Sequence, residues 1–262
     1  MTRARVLIVI PTLGERVAYL RQTLASVLDQ KIPISVVVVI PPKAEMAAEV
    51  ARQAGAQVLP DPGSMTLAIN AGIAEADSNI DYVNWIGDDD LLEPGSIQAT
   101  VSALDNAPAA VAAFGHCRYI DPDSRSLWIS KAGRIAPWLM TWGPDLVPQP
   151  GMLIRASAWR EAGGLDTRLK YALDLDLLLK LRKQGDFICV PQTLSSFRWH
   201  PDSLTVSNRT ASLDESEAVK RRHASPHQAF MITCLDPLVR LATRLAAKRL
   251  NRRAAMLSDS LA

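Results

Sequence analysis

Three carboxylates in a row, Asp88-Asp89-Asp90, follow the apolar run Asp81-Tyr82-Val83-Asn84-Trp85-Ile86 and Gly87. Adjacent like charges repel, so acids this close at the end of a strand point to a positive group that normally occupies the site. A turn offering Asp88 and Asp90, one residue apart, has the hard oxygen ligands that suit Mg²⁺ or Mn²⁺. A solvated acidic turn or a helix cap is the alternative; the strand before the triplet and the helix after it favour the cation. A second acid pair, Asp174 and Asp176, lies two residues apart in a helical stretch. Side chains so spaced diverge by about 200°, so only one can face a pocket. Asp174, at the helix entrance, is the candidate, and a first-turn acid favoured by the helix dipole is its plainer reading. Arg198 and His200 close an apolar and aromatic stretch. Arg198 has the geometry to pair with phosphate, although arginine is also common on strand surfaces.

The elements that must position these groups are legible from periodicity. Val6-Leu7-Ile8-Val9-Ile10 and Ile34-Ser35-Val36-Val37-Val38-Val39-Ile40 are β-branched runs closed by prolines, the pattern of strands buried on both faces of a parallel sheet. Between them, Val17, Leu20, Leu24, Val27 and Leu28 recur at helical spacing. An alanine-rich helix over about 44–54, a short strand from Gln57, a helix over about 66–76 and the strand entering the acid triplet continue a β-α-β rhythm. Such sheets gather ligands at the carboxyl ends of their strands. Pro94 opens a helix running to about Asn106, and a strand follows over about 111–119. Beyond Asp121 the chain becomes loop-rich, with Pro137, Pro144, Pro148 and Pro150 among three tryptophans. Order returns with short elements near 152–162, a strong helix over about 174–184, and a strand pair near 187–190 and 194–199. The polar stretch 205–225 reads as mobile, a candidate lid.

Composition bounds the rest. With 262 residues, one large α/β unit with appended elements is expected. No apolar run reaches the roughly 20 residues that span a bilayer, and the start has no secretory h-region, so a cytoplasmic protein is expected. Cys117, Cys189 and Cys234 are too far apart for a zinc cluster or a disulfide framework. A net charge of +2 gives no reason to expect a nucleic-acid partner.

Taken in order, several segments resemble the inverting family 2 glycosyltransferases. Val9-Ile10-Pro11-Thr12-Leu13-Gly14-Glu15 looks like their opening donor-binding strand and loop, and Leu24-Ala25-Ser26-Val27-Leu28-Asp29-Gln30 like the following helix. Leu67-Ala68-Ile69-Asn70-Ala71-Gly72 is similar to their "A-x-N-x-G" segment, and the acid triplet to their DxD turn. Gly151 to Arg155 with Gly163-Gly164-Leu165-Asp166, then Asp174-Leu175-Asp176-Leu177, and Arg198-Trp199-His200-Pro201-Asp202-Ser203 occupy the places of the acceptor-side motifs. The resemblance covers about residues 5–205. It implies a GT-A (Rossmann-like) α/β fold, a mostly parallel central sheet flanked by helices, with donor-binding residues 1–120 and an irregular acceptor half, 121–205. It further implies transfer of a sugar from a nucleotide diphosphate donor to an acceptor hydroxyl, with Asp174 as general base. Asp88, Asp90 and His200 would be metal ligands for Mg²⁺ or Mn²⁺, and Pro11, Thr12, Glu15, Asp61, Asn70, Asp88 and Arg198 donor contacts. Glu15 could instead cap the next helix, Asn70 stabilise its own, and Asp61 serve a plain turn. Where many relatives carry an acid after the second strand, this chain has Ile40-Pro41-Pro42-Lys43, so the base remains unnamed.

Residues 206–262 read as a polar linker and a basic amphipathic helix. From Leu238 to Arg253 it carries six basic residues and no acid, beside Leu238, Leu241, Leu245 and Leu250. An anionic membrane surface, or packing on protein, are its two readings; the first would suit a glycan or lipid-linked acceptor in cell-surface polysaccharide synthesis. A silent nucleotide-sugar binder or membrane scaffold is the rival from another class. A nucleotidyltransferase is disfavoured because Thr12-Leu13-Gly14-Glu15-Arg16 lacks a glycine-rich triphosphate loop. Oligomeric state is not encoded in any motif.

Overall fold

The computed structural model describes residues 5–76, 79–131, 136–200 and 208–259. Val6–Pro11 (β1), Ile34–Ile40 (β2), Gln57–Pro60 (β3) and Tyr82–Trp85 (β4) form a parallel block in the order β3-β2-β1-β4. Helices Val17–Leu28 (α1), Glu45–Gln53 (α2) and Met65–Ala74 (α3) make the crossovers. The β-branched runs are buried on both sides. Val6, Ile8 and Ile10 pack with Leu20, Leu24 and Val27 of α1, while Leu7 and Val9 face the layer containing Ile69 and Ile73 of α3. Gly72 permits the closest part of that contact, since a Cβ there would lie 2.5 Å from Val9 Cγ1.

After the acid turn come Leu91–Leu92 (β5), Ser96–Asp105 (α4), Ala110–Ile120 (β6), Ser126–Ser130 (β7), Ala136–Leu139 (α5), Leu153–Arg155 (β8), Ala156–Ala162 (α6), Leu173–Arg182 (α7) and Asp186–Arg198 (β9). Strand β8 enters antiparallel between β4 and β6, and β9 lies parallel to β6 with β5 antiparallel at its edge. The sheet is therefore mixed, parallel in its first half and broken by β8. A strand reached through a loop, without a crossover helix, is free to run the other way.

Three local expectations change. The strand pair expected near 187–190 and 194–199 is one strand, because a bulge absorbs the break: Phe114 pairs with Cys189, but His116 pairs with Thr193. Helix α4 begins after Pro94, with Gly95 as its N-cap at φ 77°. The polar stretch expected to be mobile contains the helix Arg209–His223 (α8), which packs on α7, whereas 201–207, including Pro201, Asp202 and Ser203, lies outside the described residues. The last helix, Pro226–Asp259 (α9), lies against α8 and β7. Among the described residues no helix is long and apolar enough to cross a membrane.

Candidate active site

The carboxyl ends of β1 and β4 lie side by side, since Val9 pairs with Trp85. This register brings Thr12, just beyond β1, to the acid turn, just beyond β4. Thr12 Oγ1 donates to Asp88 Oδ2, and Arg16 Nη2 donates to Asp88 Oδ1 at 2.7 Å. The other arm of the same guanidinium, Nη1, donates to Asp89 Oδ2 at 2.8 Å and lies 3.1 Å from His200 Nε2, itself 2.8 Å from that Asp89 oxygen. One arginine thus bridges two carboxylates beside an imidazole. Burial pushes Asp88 above the ordinary carboxylate range, opposed by Thr12 and Arg16. For Asp89 burial is outweighed by His200 and Arg16, which hold it below that range.

Asp90 and Arg198 have a different task. Asp90 is buried, its Oδ1 accepts the Arg198 backbone N–H at 2.9 Å, and burial beside Asp89 pushes its carboxyl well upward. The Arg198 side chain is 1% exposed. Its guanidinium donates to the Asp89, Asp121 and Pro122 carbonyls, Ser124 Oγ and Gln22 Oε1, with its carbon 4.3 Å from the Tyr19 ring centroid. With its donors so engaged, Arg198 braces the acid turn through the Asp89 carbonyl and the Asp90 carboxylate. The expected ligand set of Asp88, Asp90 and His200 is not assembled. Among the described residues no group of three His, Cys, Asp or Glu side chains is placed to hold a metal ion. Asp88 and Asp89 do fit a Mg²⁺ site of the kind completed by substrate phosphates, which needs only one or two carboxylates. The Arg16 guanidinium already stands there as a cation.

Asp174 lies in the first turn of α7, its Oδ1 accepting the Leu175 N–H at 2.8 Å. Burial raises its pKa, and the Glu215 charge adds to the effect. The expected divergence from Asp176 is realised. Asp176 is fully buried and binds Arg222 and His223 at 2.6 Å and Lys180 at 2.9 Å, so it ties α7 to α8. Glu215 of α8 accepts the backbone N–H groups of Lys170, Tyr171 and Ala172, which fixes the entrance of α7. Beside Asp174 lies an acid that the sequence did not single out. Burial and the Asp174 charge push Asp145 up to about 7, with Lys220 acting in the opposite direction. The loop carrying Asp145 reaches the end of β4: Gln149 Nε2 donates to Asn84 Oδ1 and, at 2.7 Å, to the Trp85 carbonyl. The Tyr119 hydroxyl is raised by burial and feels the charges of both Asp90 and Asp145.

The remaining expected donor residues divide. Pro11 ends β1 opposite Val39, and the Thr12 N–H donates to the Val39 carbonyl. Asp61 is next along this edge: its N–H donates to Ile40 O, while its Oδ1 accepts from Gly63 N in a local turn. Glu15 is exposed on the loop before α1, whose N-cap is Arg16 without a side-chain cap bond. Asn70 is turned elsewhere. It donates to Leu165 O at 2.9 Å and accepts from Leu165 N at 3.0 Å, pinning the α6–α7 connection to α3. A cavity of about 380 Å³ beside it is lined by Ile73, Val83, Trp159 and Gly164, with no acid-turn residue.

Sequence motifs assign no role to Arg16, Asp145 or Glu215, and Asp89, although part of the acid triplet, is not among the ligands chosen from it. Arg16 and Asp89 flank residues that were chosen, so position alone could have nominated them; Asp145, in an aperiodic proline-rich loop, carries no such signal.

Glycosyl transferase family 2 matches residues 7–158. No curated protein matches the sequence. Mannosyltransferase PcManGT from Pyrobaculum calidifontis, in complex with GDP-Man and Mn²⁺, superposes with a TM-score of 0.69 at 17% identity, over 100% of this chain and 80% of its own. Residues 1–349 of S. aureus TarS give 0.62 at 13% identity, over 90% of this chain and 71% of that one. The same TarS fragment in complex with UDP gives 0.62 at 13%, over 87% and 69%. This chain spans 55% of a longer TarS chain. At these identities the likeness is one of fold, and the fold is GT-A.

Proposed function

Because the chain belongs to glycosyl transferase family 2, we propose that it is an inverting enzyme that moves a sugar from a nucleotide diphosphate donor to an acceptor hydroxyl, with Asp174 as the base. The observation that supports this reading is the acid turn at the carboxyl end of β4, where Thr12 and Arg16 meet Asp88 and Asp89, and Asp174 in the first turn of α7, its pKa raised by burial, is the carboxylate proposed to complete it. The GDP-Man and UDP held by PcManGT and TarS support the donor class.

In the proposed step the acceptor oxygen attacks the anomeric carbon, the bond from that carbon to the β-phosphate oxygen breaks, and the hydroxyl proton passes to Asp174. A carboxylate acting this way typically contributes about 10² to 10⁴ in rate. Its raised pKa suits the task, since proton acceptance is most effective near working pH. Asp88 and Asp89 would hold a Mg²⁺ or Mn²⁺ together with the donor phosphates, and the ion would stabilise charge on the departing diphosphate. Two carboxylates against one Arg16 guanidinium leave the turn net negative, so a diphosphate needs that further positive charge. Pro11, Thr12, Glu15 and Asp61 line the adjoining edge, where the nucleoside is proposed to bind. Asn70 and Arg198 support the site from outside it. The acceptor is proposed to be a glycan or a lipid-linked glycan of the cell surface, approached from the cytoplasmic side.

The test is hydrolysis and transfer across a panel of nucleotide sugars, with Mg²⁺ or Mn²⁺ and with EDTA. Release of nucleoside diphosphate from one donor, lost in EDTA and restored by either ion, is the expected result. Tight donor uptake without any release of diphosphate would instead identify a silent binder.

A further inference from the structure

Helix α9 has two faces of opposite character. Ile232, Ala247 and Leu250 are buried against the rest of the molecule, and Arg240 on that side is held by Asp214, Glu217 and Asp236. On the opposite face Phe230, Leu238, Leu241 and Leu245 are each more than half exposed. Their spacing sets them on one stripe, and Lys248, Arg249 and Arg252 continue it, all exposed. Among the described residues none of these three cations has an ion-pair partner, and there is no acidic residue from Leu238 to Met256.

We propose that this face of α9 docks on an anionic lipid bilayer, the apolar stripe entering the interface and the basic residues lying among the headgroups. The charge pattern selects this occupant. A second copy of the chain laid on the same face would set cations against cations, or against leucines, whereas an anionic headgroup layer complements the basic end and accepts the apolar one. The helix need not, and cannot, span the membrane. Docking would also hold the acid turn near the bilayer. Asn251 Oδ1 of α9 accepts from Trp199 Nε1 at 2.7 Å, one residue from the His200 that bonds Asp89, and Arg253 Nη1 donates to Leu127 O at 3.1 Å. These two bonds tie α9 to the end of β9 and to β7. The docking proposal stands on α9 alone and does not depend on the reading of the catalytic groups.

Flotation of the full chain with vesicles tests it. Vesicles of phosphatidylcholine and phosphatidylglycerol in equal parts should carry the protein upward at low salt, and high salt should release it; phosphatidylcholine alone should not carry it. The double variants Leu241→Ser/Leu245→Ser and Arg249→Glu/Arg252→Glu should each cut vesicle affinity about tenfold or more, while nucleotide-sugar hydrolysis in solution stays at the wild-type level. Failure to float with anionic vesicles at low salt overturns the proposal. So does a stable dimer in light scattering that the leucine pair dissociates, with no lipid binding by either form. Loss of hydrolysis in every form, wild type included, would count against the catalytic reading and leave the flotation result to stand by itself.

Discussion

Asp88 Oδ1 accepts a hydrogen bond from Arg16 Nη2 at 2.7 Å, joining the loop after β1 to the turn after β4. Because the same guanidinium also binds Asp89, the acid turn carries its own counter-charge before any ligand arrives. That arrangement resolves the repulsion evident in three consecutive aspartates, and it makes Arg16 a competitor for any added cation.

Replacing Arg16 with alanine should therefore tighten binding of Mn²⁺ in the absence of nucleotide. Arg16 is 37% exposed, so solvent moderates the effect, and about tenfold is expected. Electron paramagnetic resonance of free Mn²⁺ measures it directly. Equal affinities in the two proteins would mean that the guanidinium does not guard the site.

Asp174→Asn should fold normally, since an amide oxygen can still accept the Leu175 N–H, but should lose about 10² to 10⁴ in turnover. A base must be ionised, so the wild-type rate should rise with pH through the raised pKa of the Asp145–Asp174 pair. Asp145→Asn removes a like charge and should move that acidic limb to lower pH. A pH–rate profile of donor hydrolysis with acceptor present checks the direction; a limb that stays in place in Asp145→Asn would uncouple the two acids.

The Asp176 cluster makes a prediction about stability. Burial opposes ionisation of Asp176, but His223, Lys180 and Arg222 prevail and hold its pKa at about 2, below the ordinary 3.8. A depressed folded-state pKa stabilises fully above 3.8, and the contribution is lost as pH falls from there through about 2. With Arg222 40% exposed, solvent screening leaves on the order of 1 kcal/mol. Urea midpoints measured across this range should fall less steeply in Asp176→Asn than in the wild type. Parallel curves would show that the cluster adds no pH-dependent stability.

Asn70 separates a structural role from a donor contact. Removing its side chain leaves both Leu165 backbone groups without their partner, which costs about 1–3 kcal/mol. Asn70→Ala should melt at lower temperature with the donor KM nearly unchanged. A large rise in KM at constant melting temperature would return Asn70 to the donor site.

What the sequence alone determined was set by short-range grammar. The runs Val6 to Ile10 and Ile34 to Ile40 can be little other than buried strands, and an acid triplet between a strand and a helix has to emerge at the carboxyl end of the sheet. The 200° divergence of Asp174 from Asp176 follows from helix geometry and is met in the folded chain, where Asp176 turns to α8. Partnerships across the chain were decided only in three dimensions. Arg16 meets Asp88 from 72 positions away, Arg198 braces Asp89 from 109, and Glu215 reaches Tyr171 from 44. The type of a polar residue announces what it can bond, but which partner it finds depends on how sheet register and helix packing fold distant segments together. For that reason the triplet could be recognised as a site while its cation was sought outside the chain, although Arg16 supplies one from within.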